Sequence, residues 1–236
     1  MITVLFKSIK KIQLTIVNLL IISGFSFAEP IGGVIESTGV TSLVRESERL
    51  ESDVGTDVNI YDEAETANGR MLIEFLDEEK LSLTENSLVY IDEAYYDPDP
   101  SKSKMAISMV RGTARFASGA GNRIKKQNVD VSTPTANITM RGTDFTTTID
   151  ELGRTMVVLL PDEETGASSG EIVVYNDGGE VVLTEAYSAT VVSSYDTAPT
   201  QSVIIQGITP NLIDNMFIVN PPTEIREQIE ENYRDE

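Results

Sequence analysis

The stretch Arg70-Met71-Leu72-Ile73-Glu74-Phe75 alternates apolar and polar side chains, and this pattern decides the fold class. Successive side chains of an extended strand point to opposite faces, so Met71, Ile73 and Phe75 share one face. The same alternation recurs in residues 80–84, 105–109 and 128–132. Because turn-forming Gly, Asn, Asp and Pro residues separate these stretches, the sequence predicts an all-β protein of short antiparallel strands.

The alternation does not fix how the strands are arranged. A rolled or solenoid-like arrangement and a two-sheet sandwich explain the pattern equally well. Four later stretches are continuously apolar, at residues 156–160, 172–175, 181–183 and 203–205. Such runs predict strands that are buried on both faces. Between two of them lies Asn176-Asp177-Gly178-Gly179, whose residues tolerate the positive φ angles of a tight hairpin.

The beginning of the chain differs from its strand-rich middle. Lys7, Lys10 and Lys11 precede and border an apolar run at residues 12–27, which is the pattern of a secretory signal peptide. The small residues that end the run predict cleavage between Ala28 and Glu29. We therefore expect a mature chain that is periplasmic or secreted. A retained N-terminal anchor is the alternative, and no later stretch predicts a membrane span.

The end of the chain has a helical pattern. Ile225, Ile229 and Tyr233 are spaced at steps of four, which places them on one side of a short C-terminal helix. The predicted organisation is a signal peptide at residues 1–28, a β domain at 29–149, a continuing β region at 150–206, and a tail with the helix at 207–236.

The composition limits the possible chemistry. The chain has 38 acidic and 18 basic residues and a formal net charge of −20, which disfavours nucleic acid and anionic membranes as partners. It has no cysteine and no histidine, so zinc sites built on these residues, Ser-His-Asp triads and thiol nucleophiles are excluded. We expect no cofactor and no catalysis. Calcium binding by acidic loops stays open, although no stretch has the spacing of a calcium-binding loop.

Three motifs lie close together in the middle of the chain. Residues 109–116 read Met-Val-Arg-Gly-Thr-Ala-Arg-Phe, residues 133–136 read Thr-Pro-Thr-Ala, and residues 141–145 read Arg-Gly-Thr-Asp-Phe. In this order they resemble the FecR domain, the periplasmic portion of ferric-citrate-type signalling regulators. The matching positions are Gly112, Ala114, Phe116, Thr133, Pro134, Thr135, Ala136, Arg141, Gly142, Thr143, Asp144 and Phe145.

The physical character of these residues favours structural roles. Gly142 permits a bulge or a close backbone approach, and Phe145 can fill the core. Arg141 can reach Asp144 or nearby backbone carbonyls. Pro134 lacks an N–H and is expected at a strand start, a bulge or a sheet edge. A ligand-binding or catalytic pair of Arg141 and Asp144 is the alternative.

The resemblance concerns the extracytoplasmic part of those regulators. Only eleven residues precede the apolar run, so we do not expect the cytoplasmic sigma-binding segment. The expected function is protein–protein interaction or envelope scaffolding, through exposed sheet edges and acidic loops, with another envelope protein as the partner. Two alternatives are a soluble sensor or co-receptor in cell-surface signalling, and a carboxylate-based enzyme that acts on envelope polysaccharide.

Overall fold

The computed structural model describes residues 29–119, 128–162 and 165–205. These residues form 17 strands and one short 3-10 turn at Pro100–Lys102, and they confirm the predicted all-β fold class. The strands are β1 (Gly32–Thr38), β2 (Thr41–Arg45), β3 (Glu48–Glu51), β4 (Asp57–Val58), β5 (Glu63–Thr66), β6 (Arg70–Phe75), β7 (Lys80–Leu83), β8 (Leu88–Tyr95), β9 (Lys104–Ala117), β10 (Asn128–Ser132), β11 (Asn137–Arg141), β12 (Asp144–Ile149), β13 (Thr155–Leu159), β14 (Glu171–Asn176), β15 (Gly179–Leu183), β16 (Ser188–Val192) and β17 (Val203–Ile204).

Two of the sequence predictions fall outside these ranges. The signal peptide, including Ala28, precedes the first described residue, Glu29. The C-terminal helix follows the last one. Within the described ranges, no helix is long and apolar enough to cross a membrane.

The strands form two sheets that share β9. Sheet A has the order β4-β1-β6-β7-β9-β12-β13-β16-β17. Sheet B has the order β3-β2-β5-β8-β9-β10-β11-β14-β15. All these neighbours are antiparallel except β9 and β10, which are parallel.

The path of the chain alternates between the sheets. The hairpins β6–β7 and β12–β13 lie in sheet A, whereas β10–β11 and β14–β15 lie in sheet B. Side chains from both sheets fill one continuous apolar core. The structure therefore combines the two predicted arrangements, because the sheets enclose a core as in a sandwich while the chain winds between them as in a roll. The predicted hairpin at residues 176–179 is confirmed, with Asn176 opposite Gly179.

Strand β9 changes sheets at Gly112. Its first half pairs with β8 and β10 in sheet B, and its second half pairs with β7 and β12 in sheet A. Gly112 has a φ of 90°, which favours glycine. A Cβ atom there would lie 2.3 Å from Ser87 Oγ. The Ser87 hydroxyl in turn accepts a hydrogen bond from Thr113 N and donates one to Thr113 O, each 3.0 Å long.

The alternation in β6 positions its side chains as predicted. Met71, Ile73 and Phe75 are buried, and the residues between them are half-buried. Burial on both faces, predicted for the later apolar stretches, is correct for β13. Its Val157 and Leu159 lie in the main core, and Val158 lies in a second, smaller apolar cluster on the other face.

Burial on both faces is wrong for the other apolar stretches. In β14, Ile172 and Val174 are buried while Val173 is only half-buried. In β15, Val181 and Leu183 face the core, but Val182 is 42% exposed. The reason is position, because β15 lies at the edge of sheet B, and Val173 and Val182 lie on the face of the sheet away from the core. Both residues of β17, another edge strand, are exposed.

Candidate functional site

The Arg-Gly-Thr-Asp-Phe motif carries the chain from sheet B to sheet A. Arg141 is the last residue of β11 and Asp144 is the first residue of β12, so Gly142 and Thr143 form the whole connection. Gly142 has a φ of 59°, a left-handed conformation that suits glycine in a tight connection. The Arg141 side chain is exposed, and Arg141 lies opposite Glu171 of β14. It is therefore on the solvent side of the crossing.

Phe145 lies in the centre of the core. Its side chain is fully buried, and its ring stacks on that of Phe116, with the centroids 4.9 Å apart. The two residues are directly opposite each other in β12 and β9. Since Leu81 of β7 lies opposite Phe116 on its other side, the motif joins three adjacent strands of sheet A through apolar contact.

Asp144 is fully buried and connects the crossing to the end of β9. Its Oδ1 accepts a hydrogen bond of 3.1 Å from Ser118 N, and its Oδ2 lies 3.6 Å from Arg115 Nη2. Ser118 Oγ also donates to Thr143 O at 3.2 Å. Among the described residues, Asp144 thus has an ionic contact with Arg115 of the neighbouring strand. Sequence reasoning had considered only Arg141 for this role.

Ser169 completes the crossing from a distant part of the chain. Its hydroxyl accepts a hydrogen bond from Asp144 N at 3.1 Å and lies within 2.7 Å of both Thr143 Oγ1 and Leu160 O. One hydroxyl therefore joins the motif to the residue that follows β13. No local sequence pattern pointed to Ser169.

The Thr-Pro-Thr-Ala motif forms the bend between β10 and β11. Thr133 N donates to Ala136 O, and Ala136 N donates to Thr133 Oγ1. Pro134 lies exposed at this bend, where its missing N–H has no strand partner to lose. Thr135 points inwards and donates to Thr155 Oγ1 at 2.8 Å. The motif therefore closes a hairpin of sheet B and ties it to β13.

A polar cleft of about 490 Å³ lies on the outer face of sheet A next to the crossing. Its lining residues are Leu72, Glu74, Glu78, Lys80, Ser82, Arg115, Ala117, Ser118, Gly119 and Asp144. Lys80 Nζ lies 3.4 Å from Glu74, and Arg115 lies beside Asp144. Because each basic side chain has an acidic neighbour, the cleft is suited to neutral polar groups rather than to a strongly charged ligand. Among the described residues, no group of three or more carboxylates is placed to hold a metal ion.

The outer face of sheet B carries a three-residue charge bridge. Two arginines form salt bridges with Glu65 of β5. Arg49 Nη2 of β3 lies 2.5 Å from Glu65 Oε2, and Arg111 Nη2 of β9 lies 2.7 Å from Glu65 Oε1. The hydrogen bond from Arg49, supported by Arg111, holds the pKa of Glu65 below its ordinary value against the opposing effect of burial. Arg49 and Arg111 are thus both paired with Glu65.

The fold and the motifs define an all-β protein in which two sheets enclose a common core and residues 141–145 form one of the tight crossings between them. Residues 62–161 match the family model described as FecR protein. This match confirms the predicted resemblance to the FecR domain over these residues.

Two solved structures are similar to part of this chain. Both are crystal structures of a candidate anti-sigma factor from Parabacteroides distasonis ATCC 8503, at 1.65 and 2.50 Å resolution. Each is 14% identical, with a TM-score of 0.44, over 58% of this chain and 57% of that chain. The chain thus spans little more than half the length of the protein it matches. No curated protein sequence matches it.

Proposed function

We propose that this protein is an extracytoplasmic FecR module that binds another protein of the cell envelope, in signalling or scaffolding, and catalyses no reaction. The observation that carries the proposal is the use of the family motif inside the framework. Phe145 fills the core, Thr143 and Asp144 join the sheets, and Thr135 ties a hairpin to β13. Since these residues serve the fold, the proposed function belongs to the outer surface.

The environment of Asp144 supports a non-catalytic role. A carboxylate that takes part in general acid–base or nucleophilic chemistry must contact its substrate. Asp144 is almost fully buried at the edge of the cleft, and Ser118 N and Arg115 already contact its two oxygens. Use of Asp144 in a reaction would require a substrate in the cleft to displace these contacts.

Affinity capture from the envelope tests the proposal. The full chain, tagged at its C-terminus, is cross-linked in cells and purified, and its partners are quantified by mass spectrometry. The matched control lacks residues 1–28 and is therefore expected to stay in the cytoplasm. We expect a reproducible envelope partner with the full chain that is absent from the control. Failure to capture any reproducible partner, or capture of the same partners with the control, would contradict the proposal.

The FecR match also favours a second candidate, a sensor or co-receptor that acts on a separate signalling protein. This function predicts that deletion of the gene changes transcription in response to an envelope signal. An unchanged transcriptome in the deletion strain, together with a captured partner, would favour scaffolding instead.

A further inference from the structure

Strand β15 differs from the other sheet edges among the described residues. Strand β3 reads Glu-Arg-Leu-Glu and is dominated by charge, while β4 and β17 are only two residues long. Charge and shortness are devices that prevent an edge from pairing with another chain. Strand β15 is five residues long and contains Val181-Val182. It is therefore the edge best suited to accept a further strand.

The hydrogen-bonding phase of β15 identifies which backbone groups face outwards. The two-residue loop Asp177-Gly178 connects Asn176 to Gly179. A hairpin loop of this length makes Asn176 and Gly179 a hydrogen-bonded pair. Hydrogen-bonded and non-hydrogen-bonded pairs then alternate along the ladder. The N–H and C=O groups of Glu180 and Val182 consequently point away from β14. Among the described residues, neither backbone N–H has a hydrogen-bond acceptor on that side.

The side chains beside this edge combine apolar contact area with negative charge. Val182 is 42% exposed and lies opposite the half-buried Val173, and the neighbouring Tyr175 is 41% exposed. Glu180 lies opposite Tyr175 and is exposed, as is Asp177 at the tip of the hairpin. An incoming strand would meet valine at one position of the outer face and carboxylate at the next.

We infer that the β15 edge binds an extended, basic segment of a partner protein, which adds to sheet B as a further strand. This inference rests on the proposed function and specifies its binding surface. Backbone hydrogen bonds to Glu180 and Val182 supply affinity, and alternate valine and lysine or arginine side chains supply specificity. The net charge of −20 favours a basic segment and disfavours a second copy of this chain at the same edge.

The test uses the full chain and the probe peptide Lys-Thr-Lys-Val-Val-Val-Lys-Thr-Lys, whose alternate residues match the outer face of β15. An acidic peptide with glutamate in place of lysine is the control. Binding is measured by fluorescence anisotropy. Hydrogen exchange is measured at the amides of Glu180 and Val182, which we expect to exchange quickly in the free protein and to be protected by the basic peptide.

Two substitutions at Val182 separate edge pairing from folding. Val182→Pro removes the outward N–H but no hydrogen bond to β14, and proline is tolerated on edge strands in this position. Val182→Thr keeps the N–H and the branched side chain. We expect about fivefold weaker peptide binding for Val182→Pro, from the loss of one backbone hydrogen bond, and binding within about twofold for Val182→Thr. Glu180→Lys leaves the backbone unchanged and should weaken binding of the basic peptide.

Several results would overturn the inference. Equal peptide binding by the wild type and Val182→Pro, or no effect of Glu180→Lys, would show that binding occurs elsewhere. Slow exchange of both outward amides in the free monomer would show that the chain itself fills the edge, and a dimer in sedimentation that dissociates in Val182→Pro would show a second copy there. If Val182→Pro still captures the envelope partner, the inference fails while the proposed function stands. If the wild type captures none, the proposed function fails.

Discussion

Replacing Arg45 by methionine is expected to destabilise the protein more than replacing Asp62 by asparagine, although both changes break the same ion pair. Arg45 Nε and Nη2 donate to the two oxygens of Asp62 at 2.8 and 2.7 Å. Asp62 is fully buried, whereas the Arg45 side chain is 32% exposed. The hydrogen bond to Asp62 also raises the pKa of Arg45 above its ordinary value, so the guanidinium is charged at every accessible pH.

The two losses of stability differ because the residue that remains keeps different contacts in each variant. Without Arg45, the buried Asp62 carboxylate keeps the hydrogen bond from Asn59 N at 2.8 Å and has no access to water. A stranded buried charge of this kind costs about 3–5 kcal/mol of unfolding free energy. Without the Asp62 charge, Arg45 still donates to Asp57 O at 2.9 Å and still reaches solvent. We therefore expect Asp62→Asn to cost about 1–3 kcal/mol.

Urea denaturation followed by circular dichroism measures the two losses, with unchanged m-values as the check that both variants unfold like the wild type. The double variant Arg45→Met with Asp62→Leu is the control for the charges themselves. It should recover most of the stability lost in Arg45→Met, because neither charge is then buried alone. Losses below about 1 kcal/mol for both single variants, or a larger loss for Asp62→Asn, would refute the reasoning.

The other predictions concern the core, the sheet change and acid stability. Phe145→Ala should lower the free energy of unfolding by about 3–5 kcal/mol, because it removes a buried ring and its stack on Phe116; calorimetry of the variant against Phe145→Leu measures this. Gly112→Ala should cost more than about 1 kcal/mol in urea melts, since its φ of 90° and the close Ser87 leave no room for a Cβ. At pH values above the ordinary carboxyl pKa, the bridge from Glu65 to Arg49 should contribute about 0.5–1 kcal/mol to the free energy of unfolding. This contribution should disappear as the pH falls through the lowered pKa of Glu65. The wild type and Glu65→Gln should therefore converge in stability when they are melted in acid.

Period-two alternation was sufficient to predict the fold class because most strands have one buried and one accessible face. The same rule explains where the prediction was wrong. Val173 and Val182 made their stretches continuously apolar, yet both lie on the outer face of sheet B near its edge. Valine is favoured in strands for its branched shape as well as its hydrophobicity. A continuous valine run therefore does not by itself reveal a second buried face.

The contacts of Asp144 could not be predicted from spacing. Its backbone partner Ser118 lies 26 residues earlier in the chain, and Ser169 lies 25 residues later. Ser118 meets Asp144 because β9 and β12 pair with Asp144 opposite Ala117, and Ser169 lies nearby because Ser168 bridges to Pro161 after β13. Local reasoning favoured Arg141, which is near in sequence but exposed. Arg115 takes this place because alternate residues of β9 share the face on which Asp144 lies.

These contacts also bear on what the family match means for function. The matched range contains the sheet change at Gly112 and the crossing at residues 141–145, which are two of the points where the chain passes from one sheet to the other. In this chain, Gly112 and Gly142 allow the two changes of sheet, and Thr143, Asp144 and Phe145 hold the crossing in place. Strand β15 lies beyond the matched range, so the family match does not extend to the edge at which we infer binding.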